Sequence, residues 1–573
     1  MGGRRTRESR PCHPSGSGDT LRLPRARRPM AGSGACGYTS GFVSCRSFLT
    51  AGLCTLCLSA GARAAQEPEW GRFRGPNGAG TSRVRSLPEA LDPKTAVAWR
   101  TEIPPGYSSP VHDGERVFLT ACEGAQPVTL CVALSTGEVL WKRDSPVTLG
   151  SLPRGQNSPA SPTPVTDGEG VVAFFESFGL LAYDNAGELR WDHPLGPFRT
   201  PYGMGTSPII AGDLVLLSCD QDGDSFLLAL DRESGEQRWR TPRPEANHGF
   251  STPILYHPAE GETQVIVSGS FRVSAYSLSS GDRTWWLDGM AWQAKSVPVL
   301  HADRLFVHSW MASPSTLGVP DIKTPFAEAL GKYDGDGDGL LSAAETEELG
   351  LSVLWFLADL DESGGLDRGE WNLLLARGVS QNGLQAVQLG GRGALEASDV
   401  LWRVRRSLPN IPSPLFYQGL LYILKEGGIL SVIDPLDGRV LKAARIEGAI
   451  DTYYASPVAA DGKIFCASHR GLLAVIDPGP RWEVTSVHDL AETIWATPAL
   501  AEGRVLVRTE RALYAFVQHP RGTSPGDPDA RPAAKPRRAV LQPCPPGTSD
   551  PLRTPAVSRS GTERAPIVQV SLP

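Results

Sequence analysis

The chain has 573 residues, 40% of them hydrophobic, with 62 glycines, 49 prolines and a formal charge of -6. That length rules out a small disulfide-stapled scaffold, and so many glycines and prolines argue for short strands joined by turns over a mostly helical protein. Between residues 47 and 519 there are 39 basic against 56 acidic side chains, so the body is acidic and lacks the Lys and Arg excess that neutralises nucleic-acid phosphates.

The first 64 residues read as an N-terminal extension ending in a secretory signal. Ser47 to Ala62 is a run of small and apolar residues preceded by Arg46 and followed by the small-x-small step Ala62-Arg63-Ala64. It is shorter than the ~20 residues a membrane span needs, so no transmembrane span is expected in the mature chain. Met30 is an alternative start. Ser44 to Leu49 is similar to a twin-arginine export motif, but Cys45 stands where the first arginine belongs, so the route stays open. The expected location is the periplasm, the cell envelope or the extracellular space. Residues 65–95 form an N-terminal strap ahead of the first strand.

From residue 96 to 518 one unit recurs. A Ser/Thr-rich step into proline, an apolar run, a Gly or Asp turn and a second apolar run begin at Pro110, Pro164, Pro208, Pro253, Pro298, Pro414, Pro457 and Pro498. Successive gaps are 54, 44, 45, 45, 116, 43 and 41 residues. A third apolar run and a Gly-Glu or Gly-Asp turn then lead to Trp141, Trp191, Trp239 and Trp285, with Lys442 at the equivalent point of a later copy. Four short strands per repeat is the pattern of a propeller blade, with tryptophan between neighbouring sheets. The expected fold is all-β, an eight-bladed β-propeller. The last repeat stops at its third strand, Ala512 to Val517, while a spare strand with Trp99 precedes the first repeat. The N-terminal strand should therefore complete the last blade and close the ring.

The one long gap holds an insertion in the fifth blade, residues 322–378. Asp334, Asp336, Asp338, Leu340, Ser342 and Glu345 occupy positions 1, 3, 5, 7, 9 and 12 of an EF-hand loop, with Gly339 at the sharp turn. A hard cation takes oxygen ligands, and these positions supply carboxylates, a backbone carbonyl and a bidentate glutamate. Asp359, Asp361, Ser363, Gly365, Asp367 and Glu370 repeat the set. The expected ion is Ca²⁺, held more weakly in the second loop because Ser363 replaces a carboxylate. Leu341 and Leu366 should meet in the short strand pairing that joins two hands. Thirteen residues separate the loops, so Gly350 must split them into two short helices packed through Leu351, Leu354, Trp355 and Leu357.

Beyond His519 twelve prolines in 54 residues, with no apolar periodicity, predict a disordered tail over residues 519–573. Five of the ten cysteines, Cys12, Cys36, Cys45, Cys54 and Cys57, lie in or before the signal. Cys122 and Cys131 flank a turn and either pair across strands or stay as buried thiols. The histidines show no metal spacing. His248 and His469 sit near blade turns where they could line a face, the simpler reading of each being an ordinary loop residue.

The A-x-D-x-x-x-G-E-x-x-W pattern resembles the PQQ propeller repeats shared by quinoprotein dehydrogenases and by a propeller scaffold of bacterial outer-membrane assembly. Trp70-Gly71-Arg72-Phe73-Arg74-Gly75-Pro76-Asn77-Gly78-Ala79-Gly80 resembles the opening of exported bacterial PQQ-like propeller proteins, some with an EF-hand insertion. Read without the family, Pro76-Asn77-Gly78 is a turn, and Trp70 and Phe73 are core anchors. The resemblance implies either a protein-binding or scaffolding module, with an unknown envelope protein or ligand on a propeller face, or a PQQ-dependent oxidoreductase of alcohols or sugars. The scaffold is favoured and no catalytic residue is assigned, because the dehydrogenases' adjacent-cysteine pair is absent from the sequence and their calcium ligands and base cannot be placed on residues here.

Overall fold

A computed structural model describes residues 68–150, 157–200, 202–311, 320 and 322–518. The expected signal and the proline-rich tail lie outside the described residues. Among the described residues eight sheets follow one another and build an eight-bladed β-propeller, seven of them four-stranded and antiparallel and that of the fourth blade extended by a fifth, parallel strand. Blade 1 runs through Val111–His112, Arg116–Glu123, Gln126–Ala133 and Val139–Asp144; blade 2 through Val165–Thr166, Gly170–Phe175, Gly179–Asp184 and Leu189–Pro194. Blade 8 takes Ala499–Ala501, Arg504–Arg508 and Ala512–Val517 from the end of the chain and Val97–Glu102 from its beginning. The pairing Thr101 to Leu513 and Glu102 to Ala512 is the predicted closure.

The strand order explains the patterning. Each second and third strand lies between two neighbouring blades and is buried on both faces, so it reads as an unbroken apolar run such as Gly170–Phe175 or Phe226–Leu230. Fourth strands face solvent along one side and alternate, and the tryptophan is the residue turned inward. That indole docks on the next blade. Trp99, Trp141, Trp191, Trp239 and Trp402 donate Nε1–H to Leu134, Asn185, Arg232, Leu278 and Pro435 carbonyls at 2.8–3.1 Å. The turn glycine of the receiving blade lies flat against the ring. At Gly187 a Cβ would stand 2.8 Å from Trp141 Cδ2, and φ is +83°, so only glycine fits there. Trp285 instead donates to Gln264 of its own blade at 2.8 Å, because the fifth blade has no such turn and covers Trp285 with the parallel bridge Gly393–Ala394. In the sixth blade Lys442 replaces the indole, reaching Trp482 O at 2.5 Å and standing 3.8 Å from that ring's centre.

A second ring runs nearer the axis, through the residue before each proline. Ser109 N donates to Thr163 Oγ1, Thr163 N to Ser207 Oγ, and Ser207 N to Thr252 Oγ1, at 2.9–3.2 Å. Val297 N to Ser413 Oγ, Ser413 N to Ser456 Oγ, Ser456 N to Thr497 Oγ1 and Thr497 N to Ser109 Oγ continue it at 2.9–3.0 Å. Val297 lacks a hydroxyl, so the step from Thr252 is the one this ladder misses.

The strap crosses one end of the channel. Trp70 O and Gly71 O accept from His112 and Thr166 of blades 1 and 2, Asn77 exchanges two hydrogen bonds with Leu255 of blade 4, and Gly80 O accepts from Ala459 of blade 7. Trp70 is fully buried and Pro76–Gly78 is a 3-10 turn. The buried Arg74 guanidinium donates to Pro414 O of blade 6 at 2.8 Å, and burial pushes its pKa down to about 9. Cys122 and Cys131 are free and buried; Cys131 stands opposite Phe118 and Cys122 opposite Pro127, so they do not pair. Among the described residues no helix is long and apolar enough to cross a membrane.

Candidate metal loops and the open face

The insertion leaves blade 5 after its second strand, Arg304–Ser309, and returns at its third, Gly383–Gln388. It contains helix α1, Phe326–Tyr333, and helix α2, Arg368–Val379. Between them the chain makes two 3-10 segments, Glu347–Leu349 and Leu351–Leu357, split by Gly350 at φ +71°. Leu341 and Leu366 pair in an antiparallel two-stranded bridge, joining the two loops as their position-8 residues should. Ile322, Phe326, Ala329, Leu351, Trp371 and Leu374 fill a small core around that bridge; the side chain of Leu354 lies outside the described residues.

In the first loop Asp334, Asp336 and Asp338 bring carboxylate oxygens within 4.8 Å of one another. Asp334 accepts from Gly337 and Gly339 amides at 2.7 and 3.2 Å. Glu345 accepts from Ser342 N, Ser342 Oγ and Gly335 N, which hold its pKa down to about 2. In the second loop the converging set is Asp359, Asp361 and Glu370. Asp359 accepts from Ser363 and Gly364 amides and from Trp355 Nε1 at 3.0 Å. Glu370 accepts from Leu360 and Asp367 amides at 2.7 and 3.0 Å; burial nevertheless raises its pKa. Leu340 and Gly365, whose carbonyls fill position 7, sit beside the bridge, and Gly365 O already accepts from Ser363 Oγ at 2.9 Å. Asp367 caps α2 by accepting from Glu370 N at 2.9 Å. These oxygen-only sets, preorganised by backbone donors, fit a hard divalent cation.

The insertion is seated on the propeller face opposite the strap. Leu357 packs with Phe271, Ala291, Trp292 and Met311, with Leu373 and Ala376 alongside. Arg377 lies 4.1 Å over the Trp292 ring and donates to Leu357 O at 3.2 Å. Arg199, from the crossing between blades 2 and 3, donates to Asp361 O at 2.7 Å. Beneath sits a buried polar group that sequence reading missed: Asp220 grips Arg243 through two hydrogen bonds of 2.6 and 2.9 Å, Asp222 bonds His248 Nε2, and Asn247 Oδ1 accepts from Trp292 Nε1 at 3.2 Å. His248 is thus fully buried, not an ordinary loop residue. A weak signal existed, since Asp220 to Asp222 and Asn247-His248 fall at the hairpin and crossing positions where a repeat's loops converge.

At the entries to blades 7, 8 and 1 the same face carries aromatic residues three places before the repeat prolines. Trp495 stacks with Tyr107 and Tyr454 at centroid distances of 4.5 and 4.6 Å, and His469 meets its edge at 4.3 Å. Trp495 Nε1 donates to Glu510 at 2.8 Å. Lys295, at the same place in its repeat, donates to Asn410 at 2.7 Å, and Asn410 N donates to Glu426. Burial pushes the Lys295 pKa down to about 8.

The family model described as outer membrane protein assembly factor BamB (PQQ_2) matches residues 89–222, 196–291 and 223–317. No match is found among the curated proteins. Among solved structures, quinohemoprotein alcohol dehydrogenase from Comamonas testosteroni superposes with a TM-score of 0.53 at 12% identity, covering 81% of this chain and 83% of that one. A europium-containing methanol dehydrogenase gives 0.51 at 11% identity, covering 79% and 98%. BamB from Moraxella catarrhalis gives 0.46 at 11% identity, covering 74% and 99%. At these identities the likeness is one of fold, and residues 89–317 carry a repeat that matches the PQQ_2 model within an eight-bladed ring.

Proposed function

We propose that this chain is an exported, calcium-binding PQQ-like propeller that acts as a protein-binding or scaffolding module in the cell envelope. The observation that carries the calcium half is the pair of twelve-residue loops, each with its oxygen ligands in order and joined through Leu341 and Leu366. The scaffold half rests on the face: the crossings and hairpins of the blades share the face on which the insertion is seated, and loops on a rigid frame suit partner binding. The partner is an envelope protein, in keeping with the BamB description of the matched repeat.

The second reading is a PQQ-dependent oxidoreductase, favoured by the two dehydrogenase superpositions. The residues at the channel mouth fit that group poorly. Glu510 accepts from Trp495 in the aromatic stack and the charge of Glu426 acts on Tyr454, negative groups that disfavour a polycarboxylate quinone; no adjacent cysteines exist in the sequence, and the candidate calcium ligands lie in the insertion. Adding PQQ with Ca²⁺ to purified protein separates the readings. The scaffold reading expects no stoichiometric quinone and no dye reduction with alcohols or sugars, together with calcium uptake by calorimetry and a chelator-sensitive partner in envelope extract. Bound quinone with turnover would replace it by the enzyme.

A further inference from the structure

We infer that cation occupancy of the second loop and the seating of Arg377 on Trp292 are one equilibrium, so that the ion locks the insertion down over blades 3 to 5. The inference rests on the calcium reading above, and the observations that carry it lie outside the carboxylate cluster. Both flanks of the loop end on the same indole. The entering 3-10 segment finishes at Leu357, which is buried against Phe271, Ala291 and Trp292. The leaving helix α2 begins at the Asp367–Glu370 cap and carries Arg377 seven residues after Glu370. Seven residues are close to two turns, so the two side chains share a helix face about 10 Å apart along the axis. Arg377 is 2% exposed, stands 4.1 Å over Trp292 and ties the flanks together by donating to Leu357 O at 3.2 Å.

The propeller also holds the loop from its other side, since Arg199 donates to the carbonyl of Asp361. Three carboxylates within 4.8 Å repel one another when ionised and no cation is between them. Their repulsion pushes Asp359 and Glu370 apart, and these residues start from the two flanks that must meet at Trp292. A divalent ion reverses that force. Beside Trp292, Asn247 and the Asp222–His248 pair are buried, with Arg377 of the insertion near enough to interact with the Asp222 charge, so the lock should also affect how far water reaches this polar group. Linkage makes the effect reciprocal: what the ion adds to the seating, the seating adds to ion affinity.

The test uses the full chain. Hydrogen exchange is followed over residues 246–250 and 286–294 with and without Ca²⁺, beside calorimetric Ca²⁺ titrations. Wild type and Asp334→Ala should gain protection in both segments when calcium is added, whereas Glu370→Gln should gain none. Arg377→Met should weaken the second site by 5-fold or more, in the range typical of coupled sites. Arg199→Ala, at an exposed position where folding is not at risk, should weaken it in the same direction by a smaller factor. Calcium bound at the second loop with unchanged protection, or with equal affinity in Arg377→Met and Arg199→Ala, overturns the coupling and leaves the calcium reading standing. Absence of calcium uptake at either loop overturns both.

Discussion

His308 shows what the ring's interior does to a single titratable group. It is 1% exposed, its Nδ1 lies 3.2 Å from Ser296 Oγ, and burial, assisted by Lys295, pushes its pKa from 6.5 down to about 3. The unfolded chain takes up that proton near pH 6.5 and the folded chain only near 3. Stability from this group is therefore complete above pH 6.5 and is lost as pH falls toward 3, with a slope approaching about 1.4 kcal/mol per pH unit. His112, also lowered by burial, adds in the same direction. Urea midpoints in chelator should drop between pH 7 and pH 5, and His308→Gln should flatten the drop; an unchanged slope would show that the imidazole is protonated in the fold. At the loops, Asp334→Ala should remove the tighter of two calcium-binding phases in a calorimetric titration: each loop has four carboxylates, but the second has Ser363 at position 5 where the first has Asp338, and its extra carboxylate, Asp367, stands at the often water-mediated position 9 and is engaged as the α2 cap. A residual site tighter than the one removed would reverse that ranking.

Within a blade, hydrogen bonds between neighbours matter as much as those inside the sheet. Ser413 is the hinge of the axial ladder beside its gap: its hydroxyl accepts from Val297 N and its amide donates to Ser456. Ser413→Ala strands the buried Val297 amide and should cost about 1–3 kcal/mol, read as a lower urea midpoint at unchanged slope. Gly187→Ala tests the outer ladder. Its methyl would stand 2.8 Å from the Trp141 ring at a backbone φ of +83°, so the indole must lift off the next blade at a cost of roughly 2 kcal/mol or more. The same substitution at Gly212, also at positive φ but with open space around its Cβ, should cost less, which separates crowding from backbone strain.

At the scale of the whole ring, closure is carried by six residues from the far end of the sequence. A chain starting at residue 104 loses Val97–Glu102, exposes the edge of Ala512–Val517 and removes Trp99 from blade 1. It should unfold with reduced cooperativity and self-associate, because an unpaired strand edge seeks a partner. A chain starting at residue 96 loses only the strap. It should keep its β content and monomeric elution with a thermal midpoint lower by several degrees, about what the loss of a few buried contacts produces in a domain of this size. Equal behaviour of the two truncations would show that closure does not depend on the N-terminal strand.

Much of this was legible because it is written in local spacing. The proline-led units, the unbroken apolar runs, the turn glycines and the twelve-residue loops each depend on neighbours within a few dozen residues, and the missing fourth strand could be inferred by counting. The meeting of Leu341 with Leu366 followed from equal loop positions. Only the tertiary structure decided what depends on partners brought together around the ring. The serine or threonine before seven of the eight prolines was visible, but the hydroxyl that accepts from its amide lies in the next blade. Trp70 to Gly80 read as a turn with anchors, and its role as a cap appears only when Arg74 meets Pro414, 340 residues away. His248 carries no periodic signal, since a buried acid–imidazole pair is made by two loops folding against each other. Sequence thus set the frame, while long-range packing and the low polarity of the interior set which of its charged groups are hidden, paired or shifted.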